Sequence, residues 1–335
     1  METQRDAFFD NAKILLILLV VLGHILTVGE GKLCLSTNEW IFTFHMPLFV
    51  FISGYFTKLG NCEKFIYGIL KLFQTYVVFS LIHVCISYYL LGKEINIKSV
   101  LLFPQWTLWY LLSLIWWRLI LYITPLSIRT NHIKLITLSV VLCLIMGWIP
   151  IGPIFSFHRT FSFLPFFVLG YVVAQTDTIN RIKMSPILAV ALMILVWGGY
   201  FVFPMTIKHL LHQSGGYYYY SALHEHFPPY YFLLFRFVWL FFAGLVSVCF
   251  LSIVPSKEYR WSHFGRLTLF IYMYHSVILL WRYVLRDEYH LPVSFPYCIL
   301  YTIIVLGVIY LMSKVRFFYW LLNPMTSIVK KNKGL

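Results

Sequence analysis

Two ionisable side chains, Lys13 and His24, lie eleven residues apart in an apolar stretch near the start of the chain. In an α-helix this separation is a rotation of about 1,100° and a rise of about 16 Å, so both side chains lie within about 20° of one face. An ionisable group in hydrocarbon costs several kcal/mol, which makes each one a functional candidate. An ammonium and an imidazole in this arrangement could bind the two ends of one long molecule. The alternative interpretation is an anchoring lysine and an unrelated structural histidine.

A second histidine, His45, lies about five residues from the outer end of the next apolar stretch, as His24 does in the first. Because consecutive spans are antiparallel neighbours, we expect the two imidazoles to lie at one depth. Pro47 frees a backbone carbonyl in this helix, and the Ser53-Gly54 pair permits a close approach by another helix. An imidazole can take a proton from an alcohol near neutral pH, so both histidines are candidate catalytic residues.

Aromatic and basic residues form two further clusters at the predicted outer level. Trp106, Trp109 and Tyr110 have the i, i+3, i+4 spacing of one helical ridge, and the alternative interpretation is that they form part of a membrane-interface belt. His158 and Arg159 open a later span. Arg159 could stabilise an oxyanion or bind a lipid phosphate.

Two deeper residues have different interpretations. His275 lies near the predicted midplane of a late span, with Arg282 about two turns further out. Arg236 lies deep in another apolar run and is interpreted as part of a buried structural pair.

The predicted inner ends of the spans carry four more basic residues: Lys71, Arg118, Lys314 and Arg316. They form either anchors that snorkel to lipid headgroups or, with Lys13, a basic mouth for a phosphorylated cofactor. Asp10 lies one turn before Lys13 and can orient its side chain.

The amino-acid composition indicates that these residues belong to a membrane protein. Of the 335 residues, 60% are hydrophobic and only 11% are charged, against about 25% charged in soluble domains. We therefore predict an all-α polytopic membrane protein, a single transmembrane domain over residues 1–335 with no appended soluble domain. About ten runs are long enough to span: 12–29, 40–57, 66–91, 105–124, 133–148, 160–175, 186–203, 231–253, 267–285 and 295–319.

The distribution of Lys and Arg between the runs predicts that both termini are cytoplasmic, since the bias is about two to one. An even number of spans agrees with this orientation. The first run does not resemble a cleaved signal peptide, because Asp6, Asp10 and Lys13 lie at or before its start and no small-residue cleavage site follows it. The predicted location is the bacterial cytoplasmic membrane.

Several other classes are excluded. The net charge of +14 comes from residues between apolar runs, which indicates anchoring at lipid headgroups rather than binding of nucleic acid. The six cysteines lack CxxC spacing, so neither a disulfide framework nor a zinc site is predicted.

The external segment 204–230 is an aromatic interface belt or a platform for sugar faces. Its two histidine pairs lack acidic or cysteine partners, so no metal site is predicted there: His209-His212 and His224-His226.

Five motifs together resemble the acyltransferase-3 family of integral-membrane acyltransferases, and most of all its fucose 4-O-acetylase-like branch. A basic residue, ten intervening positions and a histidine match Lys13 and His24, in a D-x-x-K context, although the family more often has arginine at the basic position. The other matches, in chain order, are MPLFVFISGY after His45, W-x-x-W-Y from Trp106, R-T-F-x-F-L-P-F-F-x-L-G-Y from Arg159, and Y-x-x-H ending at His275. The motifs cover nearly the whole chain.

The resemblance implies ten transmembrane helices and transfer of an acetyl group from cytoplasmic acetyl-CoA to a carbohydrate hydroxyl. The acceptor would be a cell-surface polysaccharide or its lipid-linked precursor. The implied partners are acetyl-CoA, that sugar acceptor and membrane lipids, with an oligomer or other envelope-biosynthesis proteins as further candidates.

Acyl transfer needs a base, a donor site and stabilisation of an oxyanion. We expect Lys13, with Asp10 and Lys71, to bind the CoA phosphates, and His24 to act as general base or transient nucleophile. His45 and Arg159 would orient groups or stabilise developing charge. The acceptor would contact five residues: Trp106, Trp109, Tyr110, His158 and His275. Which histidine is the base stays open at this point.

The main rival function is a transporter or flippase for lipid-linked sugars, since intramembrane basic residues and an aromatic loop would also suit that substrate. Transporters often contain internal repeats and paired broken helices. Neither is evident in this sequence, which favours the acyltransferase. A polysaccharide polymerase is less favoured because no large external loop is evident.

Overall fold

The computed structural model describes residues 7–92, 102–104, 106–146, 154–202, 229–281 and 292–322, together with Val100 and Ile149. All regular secondary structure in these residues is helical. The principal helices are α1 (Ala7–Leu26), α2 (Lys32–Tyr55), α3 (Cys62–Leu91), α4 (Trp109–Ile123), α5 (His132–Met146), α6 (Phe157–Thr176), α7 (Pro186–Val202), α8 (Pro229–Ile253), α9 (Thr268–Ile278) and α10 (Phe295–Met312). Shorter elements are the helices Leu126–Arg129 and Arg316–Leu322 and the 3₁₀ turns Trp106–Leu108, Ile154–Ser156 and Ser262–Leu267. Arg282 and most of the predicted aromatic loop, with its two histidine pairs, lie outside the described residues.

Six helical stretches of the described residues are long and apolar enough to cross a membrane: Ala7–Leu26, Cys62–Leu90, Trp106–Ile123, Ile154–Thr176, Tyr231–Ile253 and Phe295–Met312. Helices α5 and α7 are apolar but shorter. The predicted all-α polytopic architecture is therefore confirmed. Ten spans, cytoplasmic termini and the extent of the single domain stay predictions.

Some helix bounds differ from the predicted spans because tertiary contacts satisfy polar side chains that hydropathy excludes. Helix α2 begins at Lys32 rather than at residue 40. In its first turns the Ser36 hydroxyl donates to the Tyr200 carbonyl at 3.3 Å, and the Asn38 amide donates to the Gly23 carbonyl at 2.6 Å. Helix α9, in contrast, ends at Ile278, and the Leu280 amide after it donates to the Val277 carbonyl at 3.3 Å. Residue 285, where the predicted span ends, lies outside the described residues.

Helices α2 and α6 are in backbone contact through two glycines. A Cβ atom on Gly54 would lie 1.9 Å from the Phe167 carbonyl oxygen, and one on Gly170 would lie 1.9 Å from the Phe51 carbonyl oxygen. Small residues allow membrane helices to approach this closely. The close approach predicted at Ser53-Gly54 is therefore confirmed, and it fixes α6 against α2.

The beginning of α1 is held by a buried asparagine. The Asn11 amide donates to the carbonyls of Pro255 and Lys257 at 2.8 and 2.9 Å, and its oxygen accepts from the Ser262 hydroxyl at 2.6 Å. Gly265 packs on the backbone of Asp10, where a Cβ would meet the carbonyl oxygen at 2.8 Å. These contacts tie the turn that precedes α9 to α1, and so set the position of α9 beside it.

Candidate active site

Two imidazoles from different helices meet near the end of α1. The ring of His24 lies 5.4 Å from the ring of His275, centre to centre, with 30° between the ring planes. His275 is fully buried on α9. Its Nδ1 lies 3.1 Å from the Ile271 carbonyl oxygen, which can only accept, so Nδ1 carries the proton and Nε2 keeps the lone pair. Two imidazolium cations at this distance would repel, so the pair is suited to hold a single proton.

Trp106 covers this histidine pair. Its ring centre lies 4.8 Å from that of His24 and 6.3 Å from that of His275. The residue has a φ of +39° at the start of a 3₁₀ turn, a conformation that costs a residue with a side chain about 1–3 kcal/mol. The backbone is therefore strained at the residue that contacts both imidazoles.

The three aromatic residues Trp106, Trp109 and Tyr110 do not all lie in one α-helix, and their predicted ridge stays a prediction. Helix α4 begins only at Trp109, so Trp106 precedes it in the 3₁₀ turn. Trp109 and Tyr110 do contact each other, with ring centres 6.0 Å apart, and Trp109 also stacks on Phe163 at 5.2 Å.

Tyrosine hydroxyls continue the site away from His275. The Tyr272 ring lies 5.5 Å from His275 and 5.4 Å from Tyr110, and its hydroxyl donates to the Thr107 carbonyl. The Tyr110 hydroxyl lies 2.5 Å from the Ser53 hydroxyl. A row of polar groups on α2, α4 and α9 thus ends at the buried imidazole.

Arg159 borders the same row of groups from α6. Its guanidinium carbon lies 5.2 Å from the centre of the Trp109 ring, and Trp109 contacts Tyr110 of that row. Two residues before α6, Phe155 and Ser156, have φ values of +50° and +58°, and this turn sets the direction in which α6 begins. A cation on this side could stabilise negative charge that develops near the tyrosines.

His45 is buried on α2, at 1% exposure. The ring of Phe42 contacts both, with its centre 5.5 Å from that of His24 and 4.8 Å from that of His45. The His45 Nδ1 lies 2.7 Å from the carbonyl oxygen of Ile41 in its own helix. The imidazole that stacks on His24 is that of His275, and a catalytic role for His45 stays a prediction.

His158 lies in a different group of contacts, between α6 and α8. Its carbonyl accepts from the Ser162 hydroxyl at 2.7 Å, and Ser162 in turn accepts from the guanidinium of Arg236. Arg236 is fully buried and acts electrostatically on His158. The described contacts of His158 join it to this buried arginine, and its predicted contact with an acceptor stays a prediction.

The donor side predicted from the sequence lies toward the beginning of α1. The Lys13 ammonium forms an ion pair with Asp10 at 3.8 Å and lies 4.3 Å from the centre of the Phe56 ring. This confirms the predicted orientation of Lys13 by Asp10. Lys71 is exposed on α3, a helix that packs on α4 and α9, and its part in the basic mouth stays a prediction. Lys183, whose ammonium lies 3.6 Å from the Phe8 ring centre, is a nearby cation that was not proposed for the site.

Sequence reasoning also missed His83, although a histidine within an apolar run was the signal that identified the others. His83 is 1% exposed on α3, and its Nδ1 lies 2.8 Å from the Phe79 carbonyl oxygen. This is the same bond to the preceding turn that His275 makes. Among the residues that the structure describes, no three His, Cys, Asp or Glu side chains are grouped to hold a metal ion.

Comparison with known proteins agrees with the motifs. The model of the acyltransferase-3 family, described as an acyltransferase domain, matches residues 6–314. A 65-residue segment is 43% identical to the nodulation protein NolL of Mesorhizobium japonicum, and covers 18% of this chain and 17% of that protein. The match therefore spans less than a fifth of that relative's length. No solved structure gives a significant match to the chain.

Proposed function

The chain belongs to the acyltransferase-3 family, and from that premise we propose that it transfers an acetyl group from acetyl-CoA to a carbohydrate hydroxyl. The contact between His24 and His275, on the face of α1 that also carries Lys13, is the observation that supports this function most. An imidazole pair supplies the proton acceptor that an alcohol needs, and a cation three turns away supplies a site for phosphates.

In the proposed reaction the acceptor hydroxyl loses its proton to His24, with His275 sharing the charge. The acceptor oxygen forms a bond to the thioester carbonyl carbon, which gives a tetrahedral oxyanion. When the carbon–sulfur bond breaks, the CoA thiolate takes the proton back from the imidazole. Arg159 and the hydroxyls of Tyr110 and Tyr272 stabilise the oxyanion in this scheme.

The donor would bind in an extended conformation along α1. Lys13, oriented by Asp10, contacts the CoA phosphates, with Lys71 as a further cation, and the pantetheine arm follows the same helix face for about 16 Å to His24. Trp106 and Trp109 form the aromatic wall on which a sugar ring packs. His45 supports this wall through Phe42, and His158 completes the acceptor side.

The wider setting belongs to the same proposal. We place the enzyme in the bacterial cytoplasmic membrane with ten spans and both termini inside, in the fucose 4-O-acetylase-like branch of the family. Its acceptor is a cell-surface polysaccharide or a lipid-linked precursor, and its partners are other envelope-biosynthesis proteins.

The test uses purified protein in lipid nanodiscs, with acetyl-CoA binding and CoA release followed against a panel of sugar acceptors. We expect specific binding and CoA release that depends on one class of acceptor. Folded protein that does not bind acetyl-CoA, but moves a lipid-linked sugar across a liposome membrane, would contradict the proposal and establish the transporter.

A further inference from the structure

An apolar cavity of about 460 Å³ lies between α1, α9, α10 and the 3₁₀ turn that precedes α9. Ile14 and Leu18 line it from α1, and Leu306 and Tyr310 line it from α10. Trp261 and Phe264 line it from the 3₁₀ turn. They lie on one side because a 3₁₀ helix has three residues per turn. The cavity is thus lined by one side of each surrounding element.

This cavity is separate from the candidate active site. At 100° per residue, its lining residues on α1 are centred roughly 140° around the helix from the Lys13–His24 face. The donor path of the proposed function and the cavity therefore lie on different sides of α1. The inference that follows does not rest on the proposed function.

The cavity can be reached from the surface of the helix bundle that faces lipid. Gly307 lines it and is exposed on α10, and a Cβ atom added there would meet no other atom within 4 Å. Exposed apolar side chains surround this glycine on the same helix: Ile303, Ile304, Val308 and Leu311. A membrane helix with such a surface lies against acyl chains, so the material that meets the opening is lipid.

The rim of the cavity is basic at the end where α10 finishes. The Lys314 ammonium lies 4.4 Å from the centre of the Tyr310 ring, and Tyr310 packs edge-on against Phe264 at 5.7 Å. Arg266 is exposed beside the lining residue Leu267. The other exposed ionisable residues of the adjoining segments are Lys257, Glu258, Arg260, His263 and Arg316, of which a single one is acidic.

We propose that this cavity binds one acyl chain of an anionic phospholipid, whose phosphate lies between Lys314 and Arg266. The apolar walls exclude a free anion, and the basic rim favours a negative over a zwitterionic headgroup. The bound chain fills the space beside Ile271, the residue whose carbonyl accepts from His275. The lipid therefore supports α9 one turn before the buried imidazole.

The test compares the phospholipid that stays bound after detergent purification, measured by mass spectrometry per mole of protein. The variants are Gly307→Phe, which places a ring in the cavity, and Gly244→Phe, a matched control because a Cβ at Gly244 on α8 also meets no atom within 4 Å. We expect the wild type and Gly244→Phe to keep a stoichiometric anionic phospholipid. Gly307→Phe should keep about tenfold less, equivalent to about 1.4 kcal/mol of affinity.

A second measurement keeps the proposal testable if Gly307→Phe does not fold. The double variant Lys314→Gln, Arg266→Gln is placed in nanodiscs of mixed phosphatidylglycerol and phosphatidylcholine, and should lose the preference for phosphatidylglycerol that the wild type shows. Wild-type retention by a folded Gly307→Phe would overturn the proposal. So would a wild type that retains only zwitterionic lipid, or a polyprenyl phosphate in place of the phospholipid.

Discussion

Helix α1 carries polar side chains at both ends, and the two ends satisfy them by different contacts. At the beginning, Asn11 makes three hydrogen bonds at 2.6–2.9 Å, and Lys13 is paired with Asp10. At the other end, His24 lies among the rings of Phe42, Trp106 and His275. The beginning of the helix is thus fixed by directional polar bonds, whereas its end presents an imidazole to other rings.

This difference indicates a division of roles along one helix. Saturated hydrogen bonds leave a buried side chain little capacity to react, but they contribute strongly to stability. An imidazole can take up and release a proton near neutral pH, which suits it for proton transfer. Changes at the Asn11 end should therefore affect folding, and changes at the His24 end should affect chemistry.

The largest expected effect is the loss of transfer in His24→Ala. General acid–base groups contribute about 10²–10⁴-fold to rate, so we expect CoA release to fall by that factor. The melting temperature should change little, because His24 is only partly buried. The assay follows CoA release with saturating acetyl-CoA, and wild-type turnover by His24→Ala would contradict the assignment.

Asn11→Ala should affect stability rather than turnover. It leaves the carbonyls of Pro255 and Lys257 and the Ser262 hydroxyl without their partner, which we expect to lower the free energy of unfolding by about 3 kcal/mol. Unfolding in mixed detergent micelles measures this change. The control is Asn131→Ala, since Asn131 is an exposed helix cap that accepts from the Lys134 amide and should contribute about 1 kcal/mol. Equal losses of stability in the two variants would argue against a special role of the Asn11 hydrogen bonds in holding the beginning of α1.

Lys13→Ala should raise the KM for acetyl-CoA about tenfold, which corresponds to about 1.4 kcal/mol, with a smaller change in kcat. Lys13→Arg keeps the charge and should restore most of the affinity. Lys64, exposed at the start of α3, supplies the control variant Lys64→Ala, for which KM should stay unchanged. If Lys13→Ala leaves the KM for acetyl-CoA unchanged, Lys13 does not bind the donor and its ion pair with Asp10 is only structural.

The smallest expected effect is that of Trp106→Phe, which keeps a ring beside both histidines. We expect kcat to fall about threefold, less than 1 kcal/mol. The control is Trp281→Phe, because Trp281 is 47% exposed and lies outside the ring contacts described for the site. If both variants behave alike in steady-state kinetics, the contact of the Trp106 ring with the two histidines does not contribute to catalysis.

Parts of this molecule follow from local rules and could be predicted from the sequence. Helical periodicity places Lys13 and His24 on one face, the i, i+3 spacing pairs Asp10 with Lys13, and Gly54 marks a close helix approach. Each of these depends on residues within one helix or on the size of one side chain.

Other parts depend on contacts between distant segments and could not be predicted. His275 meets His24 only because the turn before α9 is tied to Asn11, more than 240 residues away in the chain. Trp106 has a left-handed backbone, and no residue pattern indicated it. Antiparallel neighbours suggested that His45 lies beside His24, but the stacking of His275 on His24 could not be inferred from spacing.

The most direct test of the central claim, that His24 and His275 act as a pair, compares His275→Ala with His83→Ala. Both histidines are buried and donate to the carbonyl four residues earlier in their own helix, but the His24 contact in the described structure belongs to His275. Acceptor-dependent CoA release is measured for both variants after each is confirmed to be folded. We predict that turnover falls at least about tenfold in His275→Ala and stays near the wild-type rate in His83→Ala. Equal turnover in the two variants would contradict the account.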